Sequence, residues 1–134
     1  MAFVLDTTTV SALMRADPIA ARHLLTARPG DVAVPQPVLA ELRYGLARLP
    51  SSKRRRELET RLETLLGALV RVPWVDLVSA RFGEIKAMLE GKGERVDDFD
   101  LAIAAHALAS GASVVTSNVK HFERIPRLRV VSWG

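Results

Sequence analysis

The chain has 134 residues, of which 49% are hydrophobic and 25% are charged, and its formal net charge is +4. This length suits one domain, predicted over residues 1–134, with a buried core of its own. Because the chain has no cysteine, disulfides, thiolate metal sites and cysteine nucleophiles are excluded. Its apolar stretches fall short of the roughly 18–20 residues of a membrane span, and the N-terminus lacks the pattern of a signal peptide. A cytoplasmic protein with no membrane partner is therefore expected.

Short β-prone segments alternate along the chain with segments of helical periodicity. Five are predicted strands, at 2–6, 32–35, 70–73, 113–116 and 128–131. Helices are predicted between them, at 8–16, 17–27, 36–49, 50–69, 76–91 and about 98–110. This alternation predicts an α/β fold, a doubly wound parallel sheet of about five strands with helices on both faces.

Three acidic residues fall where such a sheet would gather them. Asp6 ends the first predicted strand, Glu41 lies on the helix after the second, and Asp100 opens the helix before the fourth. In an open α/β sheet, ligands bind beyond the carboxyl ends of the strands, near the switch in strand order. Converging carboxylates repel one another unless a hard divalent cation such as Mg²⁺ or Mn²⁺ lies between them. The pattern therefore indicates a candidate metal site.

Each acid also has an ordinary structural interpretation. Asp6 can cap the following helix, and Glu41 can pair with a neighbouring arginine at the surface. In the segment "DDFD", Asp97 or Asp98 suits the N-cap of the next helix. Capping explains Asp100 less well, because it adjoins "LAIAAHAL", which is apolar on nearly every side. An acid at the rim of a buried helix needs a partner, and a metal ion is a suitable one.

Four segments of the chain, taken in order, resemble one known family. They are "FVLDTTTVSAL", "LAELRYGLARLP", "DDFDLAIAAHAL" and "GASVVTSNVKHFERIPRLRVV". Together they resemble the PIN-domain ribonucleases of bacterial toxin–antitoxin systems, the VapC-type toxins, from residue 2 nearly to the C-terminus. The resemblance implies a metal-dependent endoribonuclease toxin that hydrolyses RNA phosphodiester bonds with a water activated by Mg²⁺ or Mn²⁺.

The resemblance also implies roles for particular residues. The acids that match the family's catalytic residues and metal ligands are Asp6, Glu41 and Asp100. Residues expected to support these ligands, or to bind the metal weakly, are Thr7, Asp97, Asp98, Thr116 and Asn118.

The sequence departs from the family at two positions of the expected site. Thr8 stands where an asparagine is frequent, and Asn118 stands where many members have a fourth acid. Because an amide binds a divalent metal less strongly than a carboxylate does, a second metal is expected, if at all, only with substrate bound.

Two basic segments are candidates for contact with RNA phosphates. In "KHFER", Lys120, His121 and Arg124 follow the expected site closely and are better placed to contact the substrate. The segment "KRRR", at 53–56, suits an ordinary solvated face of a helix. The histidines are far apart in sequence and are interpreted as surface or hydrogen-bonded residues rather than bases: His23, His106 and His121.

Partners are implied by the same resemblance. They are a cognate small antitoxin whose C-terminal segment lies across the active-site groove, an RNA substrate, and a second copy of the chain in a homodimer.

Other functions fit parts of the pattern. A phosphotransferase or receiver domain also has an aspartate after its first strand. However, dehalogenase-like enzymes need another aspartate at position 8, which is threonine, and receivers usually have adjacent acids at the strand end. A "GxxxxGK" loop is missing, which excludes a P-loop nucleotide hydrolase. The remaining alternative is a catalytically inactive PIN-like module that binds antitoxin or nucleic acid without cleavage.

Overall fold

A five-stranded parallel sheet forms the centre of the protein. A computed structural model describes residues 2–134. Its strands are β1 Phe3–Leu5, β2 Val32–Pro35, β3 Val70–Val72, β4 Ser113–Val115 and β5 Val130–Val131. They lie in the order β3-β2-β1-β4-β5, and each strand is parallel to its neighbours. The direction of strand addition reverses between β1 and β4, which confirms the predicted doubly wound sheet.

Seven helices connect the strands within the described residues. They are α1 Thr7–Met14, α2 Pro18–Thr26, α3 Gln36–Ala47, α4 Lys53–Leu66, α5 Asp76–Gly91, α6 Asp98–Ser110 and α7 Val119–Phe122. Because parallel crossovers are right-handed, α1 to α4 cover one face of the sheet and α5 and α6 cover the other. The short α7 was not among the predicted helices, since four residues carry no amphipathic repeat. In residues 2–134 no helix has the length and apolar character needed to cross a membrane.

Local capping explains where several helices begin and end. Asp17 accepts hydrogen bonds from the backbone N–H groups of Ile19 and Ala20, with Pro18 in the first turn of α2. Asp97 caps α6, which ends at Gly111 in a left-handed conformation (φ 66°) that glycine adopts without a steric cost. The caps therefore hold both helices in register with the strands that they connect.

The helix α6 is the most deeply buried helix of the fold. All seven residues from Leu101 to Ala107 are buried, because α6 packs against β1 and β4 on one side and against α5 and α3 on others. This explains why "LAIAAHA" has no polar face. The helix carries Asp100 at its solvent-facing start and fixes that residue firmly relative to the sheet.

One polar side chain lies inside this apolar helix. His106 is fully buried, and neither ring nitrogen has a hydrogen-bond partner in residues 2–134. Its ring and the ring of Trp74 are perpendicular, with their centroids 5.5 Å apart. Burial lowers the pKa of His106 below its ordinary value of 6.5, because the charged imidazolium loses its hydration. The interpretation of His106 as a surface or hydrogen-bonded residue is wrong.

We expect His106 to make the fold less stable in mild acid. The unfolded chain takes up a proton on this histidine that the folded chain binds more weakly, so the free energy of unfolding should fall as pH drops below about 6.5. His106→Leu removes two buried unpaired nitrogens at similar volume. It should raise the free energy of unfolding by about 1–3 kcal/mol near neutral pH and flatten the pH dependence, as measured by urea denaturation.

The matched control is His23→Leu, which changes an exposed histidine on α2. An H106L variant that is less stable than the parent, with the parent's pH dependence, would contradict the assignment.

Candidate active site

The candidate site lies where β1 and β4 end side by side. Leu5 pairs with Val115 in the sheet, so the residues that follow them, Asp6 and Thr116, reach the same edge. The backbone N–H of Asp6 donates to the carbonyl of Val115 at 3.0 Å. This is the position at which doubly wound sheets bind ligands, since the connections on either side diverge to opposite faces.

Asp6 has a structural role and also faces the site. Its side chain is only 4% exposed, and its Oδ1 accepts hydrogen bonds from the Thr8 hydroxyl at 2.7 Å and the Thr9 N–H at 2.9 Å. The second bond caps α1. The capping and site interpretations of this residue are therefore compatible, because one oxygen serves as the cap and the carboxylate still faces the other acids.

Glu41 comes to the same edge from α3. The hydroxyl of Thr7 donates to its Oε1 at 2.6 Å, which links the helix after β2 to the helix after β1. Among residues 2–134 no arginine forms an ion pair with Glu41, so the alternative interpretation as a surface ion pair is wrong.

Asp100 completes the cluster from the first turn of α6. Its Oδ2 lies 3.3 Å from Nδ1 of His121 on α7. Burial raises the pKa of Asp100 above its usual value, and repulsion from Asp97, Glu41 and Asp6 raises it further, while the nearby His121 acts in the opposite direction. The carboxylates of β1, α3 and α6 are therefore close enough to repel one another.

The chemistry of this cluster suits a hard divalent cation. The donors are carboxylate oxygens, and a cation between them would offset the repulsion that raises the Asp100 pKa. The side chains are not closed around one point, however, and in residues 2–134 no group of three or more His, Asp or Glu is arranged to hold a metal ion. Each of the three acids instead has one oxygen turned to a hydroxyl or imidazole partner.

The other two aspartates of the triplet separate in the structure. Asp97 caps α6 through the N–H of Phe99 and adds to the negative potential at Asp100. Asp98 points elsewhere: its carboxylate pairs with Nζ of Lys86 at 3.0 Å and is 66% exposed. The structure thus brings Asp97 to the cluster and leaves Asp98 on the surface between α5 and α6.

The residues after β4 form the rim of the site. Thr116 is fully buried, and its hydroxyl accepts a hydrogen bond from the N–H of Asn118 at 2.8 Å. Asn118 is exposed and starts α7 without a side-chain capping bond. Lys120 and Arg124 are also exposed, and both lie within a few residues of His121, which contacts Asp100.

The second basic segment behaves as an ordinary helical surface. At the start of α4, Lys53 pairs with Glu57 at 4.0 Å and Arg55 pairs with Glu59 at 2.9 Å. These (i, i+4) pairs explain the charge run as a solvated, ion-paired face.

Sequence reasoning missed the role of Thr8 and the contact of His121 with Asp100. Thr8 stood out only as a departure from a family pattern, yet its hydroxyl binds Asp6 and accepts the N–H of Ser117 at 3.0 Å. It thereby ties the end of β1 to the loop after β4. His121 is predicted only as a possible contact for the substrate, because its contact with Asp100 depends on the short α7. The only signal for it was its nearness to Asn118 in the chain.

Comparison with known proteins agrees with this geometry. The model of the PIN domain family matches residues 3–128. The chain belongs to the PIN-domain family. Ribonuclease VapC2 of Rickettsia felis is 36% identical over 109 residues, which cover 81% of this chain and 79% of that protein. The tRNA(fMet)-specific endonuclease VapC of Shigella flexneri is 30% identical, with 98% of both chains covered.

A solved structure supports the same family. The crystal structure of VapBC2 from Rickettsia felis bound to a DNA fragment from their promoter superimposes on this PIN domain with a TM-score of 0.90. The sequence identity is 32%, and 100% of both chains is covered. The matches confirm the predicted family and fold class and identify the chain as a ribonuclease of the VapC type.

Thr8 allows a test of the site that spares its acids. Thr8→Val keeps the shape of the side chain and removes the hydroxyl that binds Asp6 and Ser117, so the Asp6 carboxylate loses a fixed orientation. We expect ribonuclease activity to fall about 10- to 100-fold, as is usual when a group that orients a ligand is removed. Thr8→Ser keeps the hydroxyl and should remain close to the parent. Equal activity of the two variants would contradict the role of the hydroxyl.

Proposed function

We propose that this PIN-domain ribonuclease is the toxin of a toxin–antitoxin pair and cuts RNA at the cluster of Asp6, Glu41 and Asp100. The observation that carries the proposal is the convergence of these acids, from three separate elements, at the switch point of the sheet. The repulsion and burial that raise the Asp100 pKa lower the stability of the fold. Because this arrangement destabilises the fold, we attribute a chemical role to the three acids rather than a structural one.

The proposed cofactor is Mg²⁺ or Mn²⁺, held by the same three carboxylates. An all-oxygen donor set favours these ions over zinc. To hold an ion, each carboxylate would use the oxygen that is not bonded to its hydroxyl or imidazole partner. When bound, such an ion lowers the pKa of a water and offsets charge on the phosphoryl oxygens.

The surrounding residues have distinct proposed tasks. Thr7 and Thr8 orient Glu41 and Asp6 through the hydrogen bonds of their hydroxyls. Thr116 holds the backbone at Asn118 and so shapes the rim of the site. These contacts keep the acids in place as RNA approaches.

Charged residues on either side of the acids have opposite effects on RNA. Asp97 adds negative potential at Asp100, whereas Lys120 and Arg124 offer exposed cations to the phosphates of the strand. We propose that these two cations offset the repulsion between RNA and the carboxylates. The proposed activity requires access to cellular RNA, which implies a cytoplasmic location.

The proposed protein partners are a small antitoxin and a second copy of the chain. The antitoxin follows from the VapBC2 complex that this fold matches. An apolar groove of about 410 Å³ among α3, α5 and α6 supports the homodimer, since its lining includes Pro37, Trp74 and Phe99 and exposed apolar patches of this kind mark protein interfaces. Light scattering on the purified chain, with and without the product of a neighbouring small gene, tests both partners.

The alternative of an inactive binding module has less support. Both relatives described above are named as nucleases. In a module that only binds nucleic acid, clustered acids would lower the affinity for the phosphates.

We expect Asp100→Asn to reduce RNA cleavage at least about 100-fold, because it removes one of the carboxylates on which the reaction depends. Cleavage of total RNA and of tRNA(fMet) with Mg²⁺, Mn²⁺ or EDTA is the measurement, and EDTA should abolish the parent's activity. Asp98→Asn is the matched control, since this neighbour pairs with Lys86 on the surface and its variant should stay near the parent. Undiminished cleavage by D100N, or by the parent in EDTA, would disprove the proposed site.

A further inference from the structure

A second cleft lies at the opposite edge of the sheet. It has a volume of about 530 Å³ and lies between α5, the end of α6 and the segment that leads into β5. Its lining residues Ala112 and Arg129 immediately precede β4 and β5. They therefore mark the amino ends of the strands, whereas Asp6 and Thr116 follow the carboxyl ends. The cleft is thus separate from the carboxylate cluster.

The charge of this cleft is positive. Its lining includes three arginines, from α5 and from the segment before β5, and one acid: Arg81, Arg127, Arg129 and Glu84. The acid pairs with Arg81 at 3.0 Å. The side chain of Arg129 donates to the carbonyl of Gly111, which fixes its guanidinium at the wall. The cleft therefore has an excess of two positive charges.

Arg127 is the unpaired cation of this group. It is exposed and forms no hydrogen bond or ion pair through its side chain with another residue of 2–134. Its backbone has a left-handed conformation (φ 66°), which costs a residue with a Cβ roughly 1–2 kcal/mol relative to its ordinary conformations. Glycine would suit this backbone better. Arg127 thus has a strained backbone and a side chain without a partner among residues 2–134. Both features favour a role for this arginine in binding a ligand over a structural role.

We propose that this arginine cleft, formed by Arg81, Arg127 and Arg129, binds the phosphodiester backbone of RNA at a distance from the cleaved bond. The guanidinium group matches phosphate in shape and in hydrogen-bond donors. The inference rests on RNA as the substrate in the proposed function, and it adds a second contact for the part of the substrate that extends beyond the carboxylates.

The helix α6 sets the distance between the two contacts. Asp100 lies in its first turn, and Leu108, near its end, lines the cleft. Eight residues at 1.5 Å each give about 12 Å along the helix axis. An RNA strand that continues a few nucleotides beyond the cleaved bond can therefore reach both contacts.

The variant Arg127→Gly tests the inference without harming the backbone, because glycine adopts the left-handed conformation freely. It should unfold at the parent's temperature or above. Binding of a fluorescent RNA stem–loop, measured in EDTA so that no cleavage occurs, should weaken about 3- to 10-fold, and the slope of log affinity against log salt should fall by about 1. The control Arg22→Ala removes the same charge from an exposed position on α2 and should bind as the parent does.

The possible results separate this inference from the proposed function. If the parent cleaves RNA and R127G keeps the parent's affinity and salt slope, the cleft is not an RNA site, and the proposed function stands. Weakening confined to RNAs of one sequence would overturn the assignment to the phosphodiester backbone, whose charge does not depend on sequence. If the parent neither binds nor cleaves RNA, both the proposed function and the cleft are disproved.

Discussion

Electrostatic repulsion among carboxylates at one sheet edge is the constraint on which this structure depends. Asp6 follows β1, whereas Glu41 and Asp100 lie on α3 and α6. Burial raises the Asp100 pKa, and repulsion from Glu41 and Asp6 raises it further. A fold selected for stability alone would separate them or pair them with arginines. The doubly wound sheet instead brings them together, because the strands β1 and β4 are neighbours although more than a hundred residues separate them in the chain.

The hydrogen bonds around the acids show how the fold tolerates this repulsion. Thr7 and Thr8 are consecutive, yet their hydroxyls bind acids on different elements, so one turn of α1 orients both carboxylates. His121 lies on the other side, beside Asp100. The partners of Asp6 and Glu41 are neutral hydroxyls, which bring no positive charge to the cluster. The cluster is therefore positioned but not neutralised, which is the condition that suits an added divalent cation.

The sequence predicted the order of the elements well because each signal was local. Strand ends such as Asp6 and caps such as Asp97 follow from neighbouring residues, and the position of the acids then follows from the geometry of parallel sheets. The contact of His121 with Asp100 depends on a four-residue helix that has no periodic signal. The unpaired state of His106 depends on packing between α6 and Trp74, which no local pattern encodes.

The most direct test of the carboxylate cluster is thermal unfolding of the parent and of Asp100→Asn, in EDTA and in Mn²⁺. In EDTA the variant should unfold at the higher temperature, because one repelling charge is gone. Mn²⁺ should stabilise the parent, by about 2.7 kcal/mol at a hundredfold excess over Kd, and the variant much less. A parent that does not respond to Mn²⁺, or a variant that responds equally, would contradict the view that these acids share a cation.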